Sequence, residues 1–372
     1  MKTLSDAPSE PSESLLKRRL RRFRGLRRGY YSFLILVTAY LLSFGLPFVM
    51  GRQALVVHYD SQWYFPAFRS YFYNTFGIGN RGLYLAKTFE QTDAEGKRVL
   101  GQADYAALKK QFAKQDNGNF VLMPLIPFGP NQQSLDQKGN PPYPPSWQHW
   151  LGTDDRGRDI LVRLAYGFRI SISFALVVTG ISYMVGIAVG ATLGYYGRWV
   201  DMLGLRFVEI WGSIPFLYTV IILASLLPRT FGLLAGILAT FGWMGITYYI
   251  RGEVYRERSK DYVAAAIAVG EGHTSIIFRH ILPNSLTPVI SFAPFAIVAN
   301  ITSLVALDFL GYGLPPPTPS WGELIGQGKE NIRDWHLVVF PLVAMFLTLQ
   351  LIVFIGEAVR EALDPKTYSR LR

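Results

Sequence analysis

The chain has 372 residues, 50% hydrophobic and 17% charged, with no cysteine and a formal net charge of +11. So low a charged share beside so much apolar content excludes whole-chain disorder, and the lack of cysteine excludes a disulfide-built scaffold. A mean hydropathy of only +0.20 excludes a chain buried throughout in lipid and fits a multispan membrane protein with a sizeable aqueous segment.

Residues 1–28 form a basic tail. Eight basic residues lie between Lys17 and Arg28, with no acid among them. Such a cluster suits nucleic acid, but it abuts the apolar run Tyr30–Met50. Basic residues against a span read as a cytoplasmic anchor held to anionic lipid heads, and no nucleic-acid partner is expected. The run exceeds a usual signal core and ends in no small-residue cleavage site, so it is expected to stay as transmembrane helix 1, over 29–50.

Residues 51–168 are too many for a turn and enough for a small extracytoplasmic domain. The run Tyr59-Asp60-Ser61-Gln62-Trp63-Tyr64-Phe65-Pro66 is dense in aromatics, and Pro141-Pro142-Tyr143-Pro144-Pro145 is extended and semi-rigid. Exposed aromatics suit a docking surface, a small core or an interfacial belt. Gly77-Ile78-Gly79-Asn80-Arg81-Gly82 matches G-x-G-x-x-G but lacks the surrounding strand–helix context of a dinucleotide site. Asp154, Asp155 and Asp159 are interleaved with Arg156 and Arg158, which favours mutual pairing over acid–base catalysis. The five histidines show no metal-ligand spacing, and no nucleophile elbow occurs. No catalytic residue, metal ligand or bound cofactor is expected in this chain.

Residues 169–356 hold five more apolar runs, at roughly 170–195, 207–227, 231–250, 285–310 and 337–356. Their lengths suit bilayer-crossing helices and their period excludes barrel strands. Pro215, Pro288, Pro294 and Pro341 invite kinks, and Gly186, Gly190 and Gly194 give a smooth face for close helix approach, whether for tight packing or for sliding. With the N-terminus inside, 20 basic residues fall on the cytoplasmic side and three in the short outer loops. Both termini, including the tail 357–372, are therefore expected in the cytoplasm. Charges within or beside spans are default candidates for a translocation path. These are Glu209, Asp308 and Glu357, with Trp211 and Pro215 as candidate lining. Gly326-Gln327-Gly328-Lys329 resembles a phosphate loop, but Glu330 stands where a magnesium-binding hydroxyl belongs.

The most informative stretch lies between spans four and five. It runs Asp261-Tyr262-Val263-Ala264-Ala265-Ala266-Ile267-Ala268-Val269-Gly270-Glu271-Gly272 and continues to Ile281-Leu282-Pro283-Asn284. Alanine propagates a short helix and glycine stops it. A cytoplasmic helix with an alanine face has little to hold it to lipid and lets another protein's groove approach its backbone.

This A-A-A-x-x-x-G…I-L-P-N pattern resembles the coupling-helix signature of ABC importer permeases. The stretches Leu151–Asp159, Tyr166–Ser171, Leu307–Pro316 and Phe354–Arg360 with Leu363-Asp364-Pro365 narrow the resemblance to the C-type permeases of dipeptide, oligopeptide and nickel importers. The outer segment is similar to the subfamily importing oligopeptides and the peptide antibiotic microcin C. The resemblance implies an all-α integral membrane protein of the type I importer permease fold, with six transmembrane helices and a large extracytoplasmic insertion between the first two. It implies a bacterial inner-membrane subunit paired with a second permease. A periplasmic solute-binding protein delivers the peptide, and separate ATPase subunits bind ATP and magnesium. Asp261, Tyr262, Ala264, Ala265, Ala266, Gly270 and Glu271 then form the ATPase-coupling set. Ala264 departs from the family, which usually has glutamate there, so negative charge would have to come from Asp261, Glu257 or Glu271. The competing classes are a secondary transporter, a channel and a membrane-anchored enzyme with its chemistry in 51–168.

Overall fold

The computed structural model describes residues 15–76, 83–93, 96–115, 118–135 and 139–363. The glycine-rich run 77–82 lies outside them. In chain order the first elements are α1 (Leu15–Gly25), α2 (Arg27–Ser43), α3 (Leu46–Val49), β1 (Val56–Tyr59), β2 (Gln62–Tyr64) and α4 (Pro66–Phe76). Then come α5 (Tyr105–Gln115), β3 (Phe120–Leu122), α6 (Ile160–Tyr196), α7 (Arg198–Gly212), α8 (Phe216–Leu226) and α9 (Phe231–Arg258). After α10 (Asp261–Ala268) and α11 (His273–Ser275), one π-helical segment (Ile276–Ile281) leads into α12 (Leu282–Ser285). The chain continues through α13 (Thr287–Phe309), α14 (Trp321–Glu330) and α15 (His336–Leu363).

Among the described residues, α6, α9, α13 and α15 are each long and apolar enough to cross a bilayer, and α7 with α8 makes a further, broken span. The expected single helix over 207–227 is thus two helices meeting at 67°. Pro215 has no N–H to continue the ladder and sits extended, with φ −66° and ψ 109°, as the residue before α8. The run expected to end near Met50 leaves α2 at Ser43, whose hydroxyl donates to Tyr40 O at 2.6 Å. Gly45 and Pro47 then break the helix into the short α3. Conversely, α6 starts at Ile160 because Asp159 Oδ1 accepts from Val162 N at 3.0 Å and satisfies an orphan donor of its first turn.

The chain divides into two compact units. One takes in the described residues before Thr38, Phe174–Ser303 and those after Met345; the other takes in Thr38–Ser173 and Leu304–Met345.

In the first unit, glycine lets α6 and α9 touch backbone to backbone. A Cβ built on Gly190 would lie 2.6 Å from Thr247 O, and one on Gly194 would lie 2.6 Å from Arg251 O. The glycine face serves close packing here. Around it Tyr195, Ile246, Ile250 and Val254 form a core that also takes in Val263, Ile276 and Ile281.

In the second unit, the segment between α3 and α6 builds a three-stranded antiparallel sheet in the order β2-β1-β3. Asp60 and Ser61 both adopt positive φ, at 49° and 61°, which gives the twisted two-residue turn that a tight hairpin needs. Val57 and Val121 from the sheet join Phe89, Tyr105, Leu108 and Phe112 in one core. Part of the aromatic density is therefore core, although Trp63 stays 58% exposed.

The interleaved acids and arginines before α6 do pair. Arg158 Nε donates to Asp154 Oδ2 at 2.6 Å and Nη2 donates to Glu323 Oε1 at 3.0 Å. Arg163 Nη2 donates to Glu323 Oε2 at 2.5 Å, and its Nε lies 3.5 Å from Asp154. Asp154, Arg158 and Arg163 are buried. His149, also buried, faces Asp159 at 2.7 Å.

Candidate functional site

The residues expected to couple lie just after α9. Glu257, in the last turn of α9, is 3% exposed. Its carboxylate accepts from Lys260 Nζ at 2.7 Å and from Tyr262 OH at 2.8 Å. This fastens both residues flanking Asp261. Burial, and next the hydrogen bond to Glu257, push the Tyr262 phenol up from its ordinary value. Asp261 opens α10 at the end where a negative charge is favoured by the unpaired amides.

One face of α10 is buried and the other is not. Val263 is fully buried, and Tyr262 and Ala266 pack against the same core. Ala264, Ala265 and Ala268 are exposed. Ile267 is 52% and Val269 88% exposed, and Phe278 projects nearby in sequence at 63%. An alanine periodicity alone does not reveal these three larger exposed side chains. Their signal in the sequence is apolar residues on a charged loop between spans, with no span to join.

The helix ends in a doubly hydrogen-bonded stop. Gly270 N donates to Ile267 O at 3.0 Å and Glu271 N to Ala266 O at 3.1 Å, with Gly270 at φ +83°. This left-handed residue is where glycine costs least. No atom lies within 4 Å of a Cβ built there, so conformation, not crowding, selects glycine. Glu271 then ties the exit. Its carboxylate accepts from Ser275 Oγ at 2.5 Å and faces His280 Nε2 at 2.7 Å. The Ser275 hydroxyl, with a further contribution from His280, holds the Glu271 carboxyl below its usual range. Of the acids available to replace the missing family glutamate at Ala264, Glu257 and Glu271 are thus engaged internally, while Asp261 is exposed.

The loop thus has a rear face tied at Glu257 and Glu271 and an exposed small-residue face.

The path candidates are scattered. Glu209 is exposed and pairs with Arg206 at 2.7 Å. Trp211 Nε1 donates to Thr240 O at 2.7 Å. Its ring borders an apolar groove of about 350 Å³ shared with Phe207 and Trp243. Pro215 forms the bend after α7. Asp308 belongs to the other unit, where Leu314 N donates to its Oδ1 at 2.7 Å and Ser320 Oγ to its Oδ2 at 2.5 Å. Among the described residues, no three His, Cys, Asp or Glu side chains gather to hold a metal.

Residues 186–368 match the family described as the binding-protein-dependent transport system inner membrane component. The inner membrane ABC transporter permease protein YejE of Escherichia coli is 40% identical over 346 residues, spanning 92% of this chain and 95% of that protein. The peptidoglycan transport system permease protein YejE of Agrobacterium fabrum is 35% identical, over 94% of this chain and 93% of that one. The oligopeptide transport system permease protein OppC of Haemophilus influenzae is 39% identical over 59% of this chain and 70% of its own. With a helical fold, apolar spans and the alanine–glycine loop in place, the chain belongs to the family of binding-protein-dependent inner-membrane transport components and is an ABC importer permease.

Proposed function

We propose that this permease imports short peptides, with ATP and magnesium bound and hydrolysed by separate ATPase subunits docked on α10. The observation that carries this reading is the exposed Ala264–Ala265–Ala268 face held on a buried back by Val263, Glu257 and Glu271. Such a face is suited to a partner's groove and poorly suited to lipid. The peptide assignment draws on relatives whose names specify peptidoglycan and oligopeptide transport. A second permease completes the path, and a periplasmic solute-binding protein delivers the peptide to the outer side. In this reading α2, with 17 residues, is the first of six spans, and both termini lie in the cytoplasm. Trp211 and Pro215, at the bend between α7 and α8, are the path residues best placed to change when that bend changes.

Reconstitution with the co-expressed ATPase, second permease and binding protein tests the proposal. Peptide accumulation should require ATP inside the coupled compartment and survive collapse of a proton gradient. Accumulation that continues without ATP and stops when the gradient collapses would instead mark a secondary transporter.

A further inference from the structure

A cavity of about 530 Å³ lies in the second unit, where the outer segment meets the start of α3 and the early turns of α6. Two arginines, Arg52 and Arg169, line it, and no aspartate or glutamate does. Arg169 is held from behind. Its Nη1 donates to Ser43 O at 3.2 Å, and its guanidinium lies 5.2 Å from the Tyr166 ring centre. Arg52 is exposed and lies along Gly129, whose Cβ, if built, would sit 3.8 Å from Arg52 Cγ. Neither arginine forms an ion pair among the described residues.

Two positive charges facing one cavity without a counter-ion define an anion site. Guanidinium matches a carboxylate by paired N–H donors. Tyr71 and Tyr166 supply apolar wall. Phosphate would satisfy the charges, but it leaves that wall and most of the volume unused. A carboxylate at the end of a short peptide meets the charges and fills the rest.

We infer that this cavity binds the C-terminal carboxylate of a short peptide, with Arg52 and Arg169 on the carboxylate and the body of the peptide along Tyr71 and Tyr166. The inference rests on the peptide-import reading and adds to it a specificity site within the permease itself.

The test uses the full chain in nanodiscs of neutral phosphatidylcholine. Binding of a blocked trialanine with a free carboxyl is compared with binding of its carboxamide, and inorganic phosphate serves as competitor. The free acid should bind about tenfold more tightly or better, the size of one charge-assisted hydrogen bond. Arg52→Gln, at an exposed position whose loss leaves the fold intact, should erase that preference. Equal binding of acid and amide, an unchanged preference in Arg52→Gln, or phosphate binding as tight as the free acid would overturn the inference. Uptake of both peptides by the reconstituted transporter is scored in parallel. Uptake without a binding preference sinks the site and spares peptide import; a preference without uptake of either peptide does the reverse.

Discussion

His280 and Glu271 face each other across the turn that follows the exposed alanine helix, Nε2 to Oε2 at 2.7 Å. Nine residues apart in sequence, they close the loop that joins α10 to the segment entering α13. With Glu257 and Tyr262 on the other side, they make this loop a clamped element instead of a free tether.

The carboxyl of Glu271 is held low, first by the Ser275 hydroxyl and then by His280. A carboxyl depressed in the folded state stabilises the fold fully above its unfolded value, about 4.3. That contribution is lost as pH falls through the depressed folded value. Thermal unfolding of wild type and Glu271→Gln should therefore differ by a constant gap from pH 8 to pH 5. The gap should close below about pH 4. A gap unchanged down to pH 3 would remove the carboxylate from this role.

Gly270 stands at φ +83° with open space where a Cβ would go. Valine there meets no clash but adopts a backbone state costing about 1–3 kcal/mol. Gly270→Val should lower ATP-driven uptake at matched expression by about tenfold or more. Gly270→Asn, which tolerates the left-handed region, should lose much less. Uptake at the wild-type rate in Gly270→Val would show that the stop does not transmit force.

Arg163 is fully buried among Asp154, Glu323 and Arg158. Replacing it with methionine leaves the buried Asp154 and the partly buried Glu323 sharing one arginine. Breaking such a network typically costs about 3–5 kcal/mol, and Arg163→Met should show a large fall in melting temperature or in folded yield. Replacing Arg158 with lysine should also be costly, because one ammonium cannot bridge Asp154 and Glu323 as the guanidinium does. A melting temperature within a degree or two of wild type for Arg163→Met would assign the network no structural weight.

Gly190 brings α6 against the backbone of α9. Gly190→Ala forces the helices apart, with an overpacking cost of about 1–3 kcal/mol. Lower thermal stability with proportionate uptake per folded molecule fits static packing. Full stability with lost uptake would instead indicate a sliding interface.

The apolar runs, the alanine–glycine stop and the pairing among 154–159 are legible in the sequence because each rests on local spacing. The break at Pro215 was announced by its missing donor, but the helix that starts at Arg198 was not, since its face is amphipathic and its early part is charged. The bond from Arg163 to Glu323 was invisible. It joins residues 160 positions apart, and no local period encodes such a meeting. The sheet of the outer segment was hidden for a related reason. Its strands are three or four residues long, too short for alternation to register. Asp308 reads as an intramembrane charge by position, and only the fold places Leu314 N and Ser320 around it.

The chain has no cysteine, so Ala265→Cys creates a unique reactive site on the exposed face of α10 without further engineering. In the assembled transporter in vesicles, a short bifunctional cross-linker at this position should capture the ATPase subunit, with yield changing between the ATP-bound and nucleotide-free states. Capture of no ATPase, or labelling of Ala265→Cys by an impermeant reagent applied from the outer side, would contradict the account.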